Sequence, residues 1–209
     1  MQRLTLIQFT LLLLALAGAV MAFRPADRKG YSLGDSATDF KLKNVDGKMI
    51  SLADFKDAKG ALVVFSCNHC PWVVKYEDRM NDLAKKYQKK GFPLIAINPN
   101  DAQRQPEDSF EKMIERHKEK KFAFPYVYDE TQEVARRFGA EKTPHVYVLN
   151  REEGKFVVRY IGAIDDTANA KEAKVNSVAE AIEALLVGKE VPTKETKAIG
   201  CTIKWAEGK

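Results

Sequence analysis

Cysteine is scarce in this 209-residue chain, which has three, at positions 67, 70 and 201. Three is too few for a disulfide-stapled secreted scaffold, and an odd number leaves at least one thiol unpaired or transiently paired. Repeats and low-complexity tracts are absent, which excludes solenoids and tracts of biased composition. There is little excess of one charge sign, with a formal net charge of +5. Lysines cluster at Lys85, Lys86, Lys89 and Lys90 and from Lys118 to Lys121, but acidic residues interleave with them, as on solvated helix faces. Nucleic acid is therefore not an expected partner.

The chain also lacks an apolar run of the ~20 residues that a membrane span needs. Leu11 to Phe23 has no polar side chain, but that is only 13 residues. Arg3 precedes it, and Val20-Met21-Ala22 supplies small residues around a cleavage point. This three-part form predicts a signal peptide over 1–22 and an exported, periplasmic or extracellular, protein. An uncleaved signal anchor is the alternative and the one expected route to membrane attachment. No cysteine follows the apolar stretch, which argues against a lipoprotein.

Hydrophobic spacing orders the remainder. Residues 23–33 read as a lead-in, 34–190 as one domain, and 191–209 as a C-terminal tail containing Cys201. Within the domain, Phe40 to Leu52 is a short hairpin around Asp46-Gly47. Buried strands are expected at Ala61–Phe65, Phe92–Ile97 and Phe124–Tyr128, and a strand pair at His145–Leu149 and Phe156–Ile161. Helices are expected at Pro71–Gln88, Pro106–Lys120 and Thr131–Phe138. In the second of these, Phe110, Met113, Ile114 and His117 share a face, and His117 is read as structural. A last helix is expected with an apolar face of Val175, Val178, Ile182, Leu185 and Leu186. The class is α/β, a central mixed β-sheet flanked by helices with an N-terminal β-hairpin extension.

The chemistry concentrates at Cys67-Asn68-His69-Cys70, immediately after the first buried strand. The carboxyl end of a central strand, just before a helix, is where α/β sheets place functional groups. A thiol at a helix N-terminus is stabilised as thiolate by unpaired N–H groups and the helix dipole, and a protonated His69 should favour thiolate further. The spacing fits a redox pair. Two other readings stay open: a pair of buried core cysteines, and a metal clamp in which His69 and His145 join the thiolates. Haem attachment is excluded, because Pro71 and not histidine follows Cys70.

Pro71 disfavours helical geometry at Cys70, so the helix starts at Pro71 or the first turn is bent. Trp72 is read as shielding the sulfurs, lining a substrate surface, or packing in the core. Thr143-Pro144 precedes a strand, where a cis bond is one option. His145 is by default a core histidine. Cys201 is by default a buried or idle thiol, with a second resolving thiol in a mobile tail as the alternative.

Three segments, GDSATDFKLKNVDGKMISLADF, the strand-CNHC-helix unit and KTPHVYVLN, resemble the thioredoxin-like superfamily. The resemblance is narrower to the redoxin or peroxiredoxin-like group related to alkyl hydroperoxide reductase and thiol-specific antioxidant proteins. It runs from about Gly34 to Val187. It implies a thioredoxin-like fold, with Pro144 as the cis-proline facing the cysteines and His145 near the sulfurs. It also implies Cys67 as nucleophile and Cys70 as resolver, with Thr143, Pro144, His69 and Trp72 shaping the groove or tuning the thiols. The activity implied is thiol-disulfide exchange, with thiol peroxidase and a metal-binding module as alternatives. The implied partners are protein or small-molecule disulfides, hydroperoxides in the peroxidase alternative, and a redox partner protein as electron donor. No cofactor or metal is called for. Peroxiredoxins carry a Pro-x-x-x-Thr-x-x-Cys motif; with Cys70 aligned as the peroxidatic cysteine, Val63 and Cys67 occupy the proline and threonine positions.

Overall fold

The structure, a computed structural model, describes residues 30–207, so the expected signal peptide lies outside the described residues. The first strands are β1 (Ser36–Ala37), β2 (Lys41–Asn44) and β3 (Met49–Ser51). Gly47 turns the β2–β3 hairpin with a positive φ of 84°, a conformation glycine adopts without steric cost. The hairpin is built into the sheet, because β2 also pairs with a later strand. After a 3₁₀ turn at Leu52–Phe55 comes β4 (Gly60–Phe65), wholly buried, then α1 (Pro71–Gln88) and β5 (Leu94–Asn98).

The helix expected from Pro106 to Lys120 is two elements, a 3₁₀ turn at Pro106–Asp108 and α2 (Phe110–Lys120). Ser109 separates them: its backbone is extended and its side chain accepts from Lys112 N. That break aims Asp108 inward, which matters below. β6 (Tyr126–Tyr128) and α3 (Glu133–Phe138) follow. The helix starts two residues later than expected, because Gln132 holds a left-handed backbone, φ 63°. The chain then forms β7 (Lys142–Thr143), β8 (His145–Glu152), β9 (Lys155–Gly162), α4 (Ser177–Leu186) and β10 (Cys201–Thr202).

Eight strands make one mixed sheet in the order β1-β9-β8-β4-β5-β6-β2-β3, with β4, β5 and β6 parallel and β8 antiparallel to β4. Alternation along the strands splits the core in two. Leu62, Val64, Ala96, Val146 and Val148 face α1, α2 and α4, whereas Val63, Phe65, Ile97, Tyr147 and Leu149 face α3 and the C-terminal segment. Two residues expected on apolar helix faces are exposed. Ile114 is 41% exposed, because α2 buries only a narrow stripe around Met113, and Val175 precedes α4, where Asn176 caps the helix. Among the described residues no helix is long and apolar enough to cross a membrane.

The C-terminal segment lies on the domain instead of hanging free. Thr196 N donates to Ile161 O on β9, β10 pairs with β7, and Ile203 is buried against the α3 face of the sheet. The mobile tail considered from sequence is therefore corrected: backbone pairing and a buried isoleucine hold it.

Candidate active site

The loop from Ser66 to Cys70 connects the end of β4 to α1. Cys70 is the N-cap residue, in extended conformation (φ −62°, ψ 122°), and Pro71 is the first helical residue. Of the two geometries open to Pro71, the chain takes the one in which the helix begins at the proline. The loop is shaped by a buried carboxylate. Asp108 Oδ1 accepts from Asn68 N (2.7 Å) and His69 N (3.2 Å), and Oδ2 accepts from Asn100 Nδ2 (2.6 Å). Oδ2 also lies 2.7 Å from His69 Nδ1, so a proton on Nδ1 leaves Nε2 as the free nitrogen. Tyr126 Oη donates to Asn68 Oδ1 and fixes the loop from below.

All three cysteines converge on Thr143, the residue before the cis Thr143-Pro144 bond. Cys67 Sγ lies 3.3 Å from Thr143 Oγ1, Cys70 Sγ lies 3.3 Å from the Thr143 carbonyl oxygen, and Cys201 pairs with Thr143 across β10 and β7. Gly200 permits that approach, since a Cβ there would fall 2.1 Å from the Thr143 carbonyl oxygen. A disulfide joins Cys70 to Cys201, 131 residues apart in sequence, and Cys67 is free and buried beside it. The default reading of Cys201 as an idle thiol is thus corrected. The close spacing of Cys67 and Cys70 suggested a bond between them, but strand pairing brings Cys201 to Cys70 from the other side.

The electrostatics at Cys67 also correct an expectation. Burial, with the Asp108 carboxylate adding to it, pushes the Cys67 thiol up to about 12. The Thr143 hydroxyl and the backbone N–H groups of Cys70 and His69 pull the other way, but burial outweighs them. In the Cys70–Cys201 form Cys67 is therefore almost wholly protonated at neutral pH. Because only the thiolate is nucleophilic, alkylation of Cys67 by iodoacetamide is expected to rise about tenfold per pH unit from about pH 7 to 9. A plateau near pH 8 would contradict this environment.

The other expected residues divide. Thr143 and Pro144 are buried, Thr143 against the sulfurs of Cys67 and Cys70. Trp72, in the first turn of α1, is 38% exposed, so its core-packing reading is corrected and it stands as surface beside Cys70. His145 pairs with Phe65 across β4 and β8, and its ring packs on Tyr147 with centroids 4.9 Å apart. Burial lowers its pKa to about 4, so it is neutral at pH 7. The core reading fits it. His117 packs edge-on against Phe122.

The metal clamp built on His145 is corrected as well. Among the described residues, the ligating atoms that approach one another, within 4.8 Å, belong to Cys67, His69 and Asp108. Both Asp108 oxygens already accept N–H donors, so a cation there would compete with the bonds that shape the loop.

Sequence reasoning missed Asp108, Asn98, Asn100 and Gln132. The available signal was the polar cluster Asn98-Pro99-Asn100-Asp101 directly after a buried strand, at the same sheet end as the cysteine loop.

A cysteine loop between a central strand and a helix, opposed by a cis-proline on a mixed sheet, defines a thioredoxin-like oxidoreductase. The AhpC/TSA family matches residues 33–166, and the chain belongs to that family. It is 27% identical over 141 residues to the thiol-disulfide oxidoreductase ResA of Halalkalibacterium halodurans, covering 68% of this chain and 75% of that protein. Two crystal structures are more alike in sequence. An uncharacterised conserved protein from Geobacillus kaustophilus is 40% identical with a TM-score of 0.79, covering 86% of this chain and 95% of that one. A hypothetical protein from Sinorhizobium meliloti is 37% identical with a TM-score of 0.79, covering 86% and 97%.

Proposed function

We propose that the protein is an exported thiol-disulfide oxidoreductase in which Cys70 is the sulfur that exchanges with substrate and Cys67 the one that resolves. The observation that carries the reading is the Cys70–Cys201 disulfide lying against Thr143-Pro144 with a free thiol, Cys67, packed beside it. This order reverses the one that the thioredoxin resemblance implies. Two features of Cys70 support the reversal. It is the N-cap residue of α1, where negative charge is favoured, and it already holds a partner sulfur from an extended strand. Burial does not separate the two, at 2% exposure for Cys67 and 0% for Cys70, but Cys67 is strongly disfavoured as thiolate in this state.

In the forward direction Cys70 thiolate attacks one sulfur of a substrate disulfide. The Cys70–substrate bond forms, and the other substrate sulfur leaves as thiolate and takes up a proton. Cys67, after losing its proton, attacks Cys70 Sγ. The Cys67–Cys70 bond forms and the second substrate thiolate leaves. The substrate disulfide is reduced to two thiols and the protein dithiol is oxidised. His69 and Asp108, with atoms within 4.8 Å of the Cys67 sulfur, are placed to take the Cys67 proton. The leader-like residues 1–22 support export, where disulfide exchange has substrates. Fully reduced protein, mixed with one equivalent of glutathione disulfide and mapped by mass spectrometry, should yield a Cys67–Cys70 linkage. Full exchange without that linkage in wild type, at an undiminished rate in Cys67→Ser, would sink the assignment of Cys67.

One observation favours a second reading, a thiol peroxidase. A disulfide between a helix-start cysteine and one 131 residues away is what a peroxidatic and a resolving cysteine leave after turnover. Against it, Val63 and Cys67 stand in place of the proline and threonine of the peroxide site. Consumption of hydrogen peroxide by reduced wild type, lost in Cys201→Ser while disulfide exchange persists, would move this reading ahead.

A further inference from the structure

The C-terminal segment that carries Cys201 is held mainly by its backbone. Ile203 N donates to Glu141 O (3.1 Å), and Lys204 N donates to Asn100 Oδ1 (2.8 Å). Lys204 O accepts from Asp101 N (2.9 Å) and from Gln132 Nε2 (2.8 Å). Ala206 N donates to Gln132 Oε1 (2.8 Å), and Trp205 O accepts from Arg104 (3.0 Å). Asn100 and Gln132 are buried, at 2% and 1% exposure, so these amides are built into the body and not loose surface groups. Trp205 packs partly buried on the α3-side core with Arg136 4.5 Å from its ring centroid, and the remaining side-chain recognition is confined mostly to two positions. Cys201 meets Cys70, and Ile203, two residues on, is 2% exposed in the α3-side core. Thr202 between them points to solvent.

Backbone pairing to a sheet edge with pockets for alternate side chains is how extended peptides are recognised, and backbone bonds do not depend on sequence. We infer that this groove, formed by β7, Glu141, Asn100, Asp101 and Gln132, is the docking site for client proteins. It would take an extended segment with a cysteine and, two residues later, an aliphatic side chain. The chain's own residues 200–206 occupy the site as a tethered competitor. The inference rests on the exchange reading above and names the substrate class for the same Cys70. The surroundings suit a protein client: Trp72, two residues after Cys70, and Ile199, two before Cys201, leave exposed apolar surface (38% and 49%) beside the disulfide. Asn100 also bonds Asp108, so groove and cysteine loop share one network.

The covalent step is thiol-disulfide exchange. Cys70 thiolate attacks the client cysteine sulfur in its disulfide, the Cys70–client bond forms, and the former partner sulfur leaves as thiolate. The tail, tethered, competes at a high effective concentration, on the order of millimolar. Weakening its docking should therefore admit clients. Gly200→Ala does so by a change confined to the tail, because the new Cβ would strike the Thr143 carbonyl when the tail is docked.

The test uses full-length reduced protein and three probes, each with thionitrobenzoate disulfide-bonded to its cysteine. They are the peptide Gly-Cys-Thr-Ile-Lys-Trp-Ala, the same peptide with aspartate replacing isoleucine, and free cysteine. Release of the coloured thiolate is followed in each case. The isoleucine peptide should react about tenfold or more faster than the aspartate peptide, because one buries an aliphatic side chain and the other a charge. In Gly200→Ala, the ratio of the isoleucine-peptide rate to the free-cysteine rate should rise about tenfold over wild type. Equal rates for the two peptides, with free cysteine reacting normally, would overturn the groove while leaving the exchange function intact. No release from any probe would overturn the exchange function itself. The two-peptide comparison in wild type decides the matter even if the glycine variant misfolds.

Discussion

Reduced protein carrying Cys70→Ser is expected to lose disulfide exchange by at least about a thousandfold, because Cys70 is the helix-start sulfur that already holds a partner sulfur. Cys70 stands where two favourable features coincide: the N-cap of α1 and a partner sulfur presented by an extended strand. Cys67→Ser combined with Cys201→Ser, by contrast, should keep the first attack and lose only the resolving step, since either cysteine could otherwise reach Cys70. Single-turnover mixing would then show a normal initial burst that stops at a Cys70–substrate disulfide. If Cys70→Ser retained more than about a tenth of wild-type exchange, Cys67 or Cys201 would have to be the attacking thiol and the assigned order would fall.

The second large effect concerns stability. Asp108→Ala is expected to destabilise the fold by about 3–5 kcal/mol, since it leaves buried or half-buried N–H donors of Asn68, His69 and Asn100 without their acceptor. Asp108→Asn keeps one oxygen for the loop amides, but places an NH₂ group toward His69 Nδ1 and the Asn100 amide; about 1–3 kcal/mol is expected. Urea unfolding of the oxidised proteins reads both values. The asparagine variant has a second signature. Removing a negative charge next to Cys67 should make its thiol more acidic, moving the alkylation profile to lower pH. An alanine variant within about 0.5 kcal/mol of wild type would mean that the loop is shaped by something other than this carboxylate.

Much of the frame was legible because its signals are local. The apolar run Ala61–Phe65, the proline after Cys70 and the helical spacing from Trp72 to Tyr87 each act over a few residues, and each element formed where expected. Thr143-Pro144 was legible through resemblance, not from composition. What escaped depends on long-range side-chain geometry. Asp108 meets the cysteine loop across 39 and 40 residues of sequence, and it lay within a segment expected to be plain helix, Pro106–Lys120. The Cys70–Cys201 bond was hidden by the nearer cysteine, since spacing alone favours Cys67 as the partner. The elevated thiol at Cys67 follows from burial and from Asp108, neither of which a strand-loop-helix pattern displays. His145 follows Pro144, and its ring packs on Tyr147, the residue two further along the same strand face.

The assignment of Cys70 as the exchanging sulfur is tested most directly with two proteins that each keep one cysteine. One carries Cys67→Ser with Cys201→Ser, the other Cys70→Ser with Cys201→Ser. Each is mixed with a cysteine-containing peptide activated as its thionitrobenzoate disulfide, and the covalent adduct is quantified by intact mass against time. The Cys70 protein should form the peptide adduct stoichiometrically, and the Cys67 protein should form it at least about a hundredfold more slowly at pH 7. Equal or faster adduct formation on Cys67 would contradict the account.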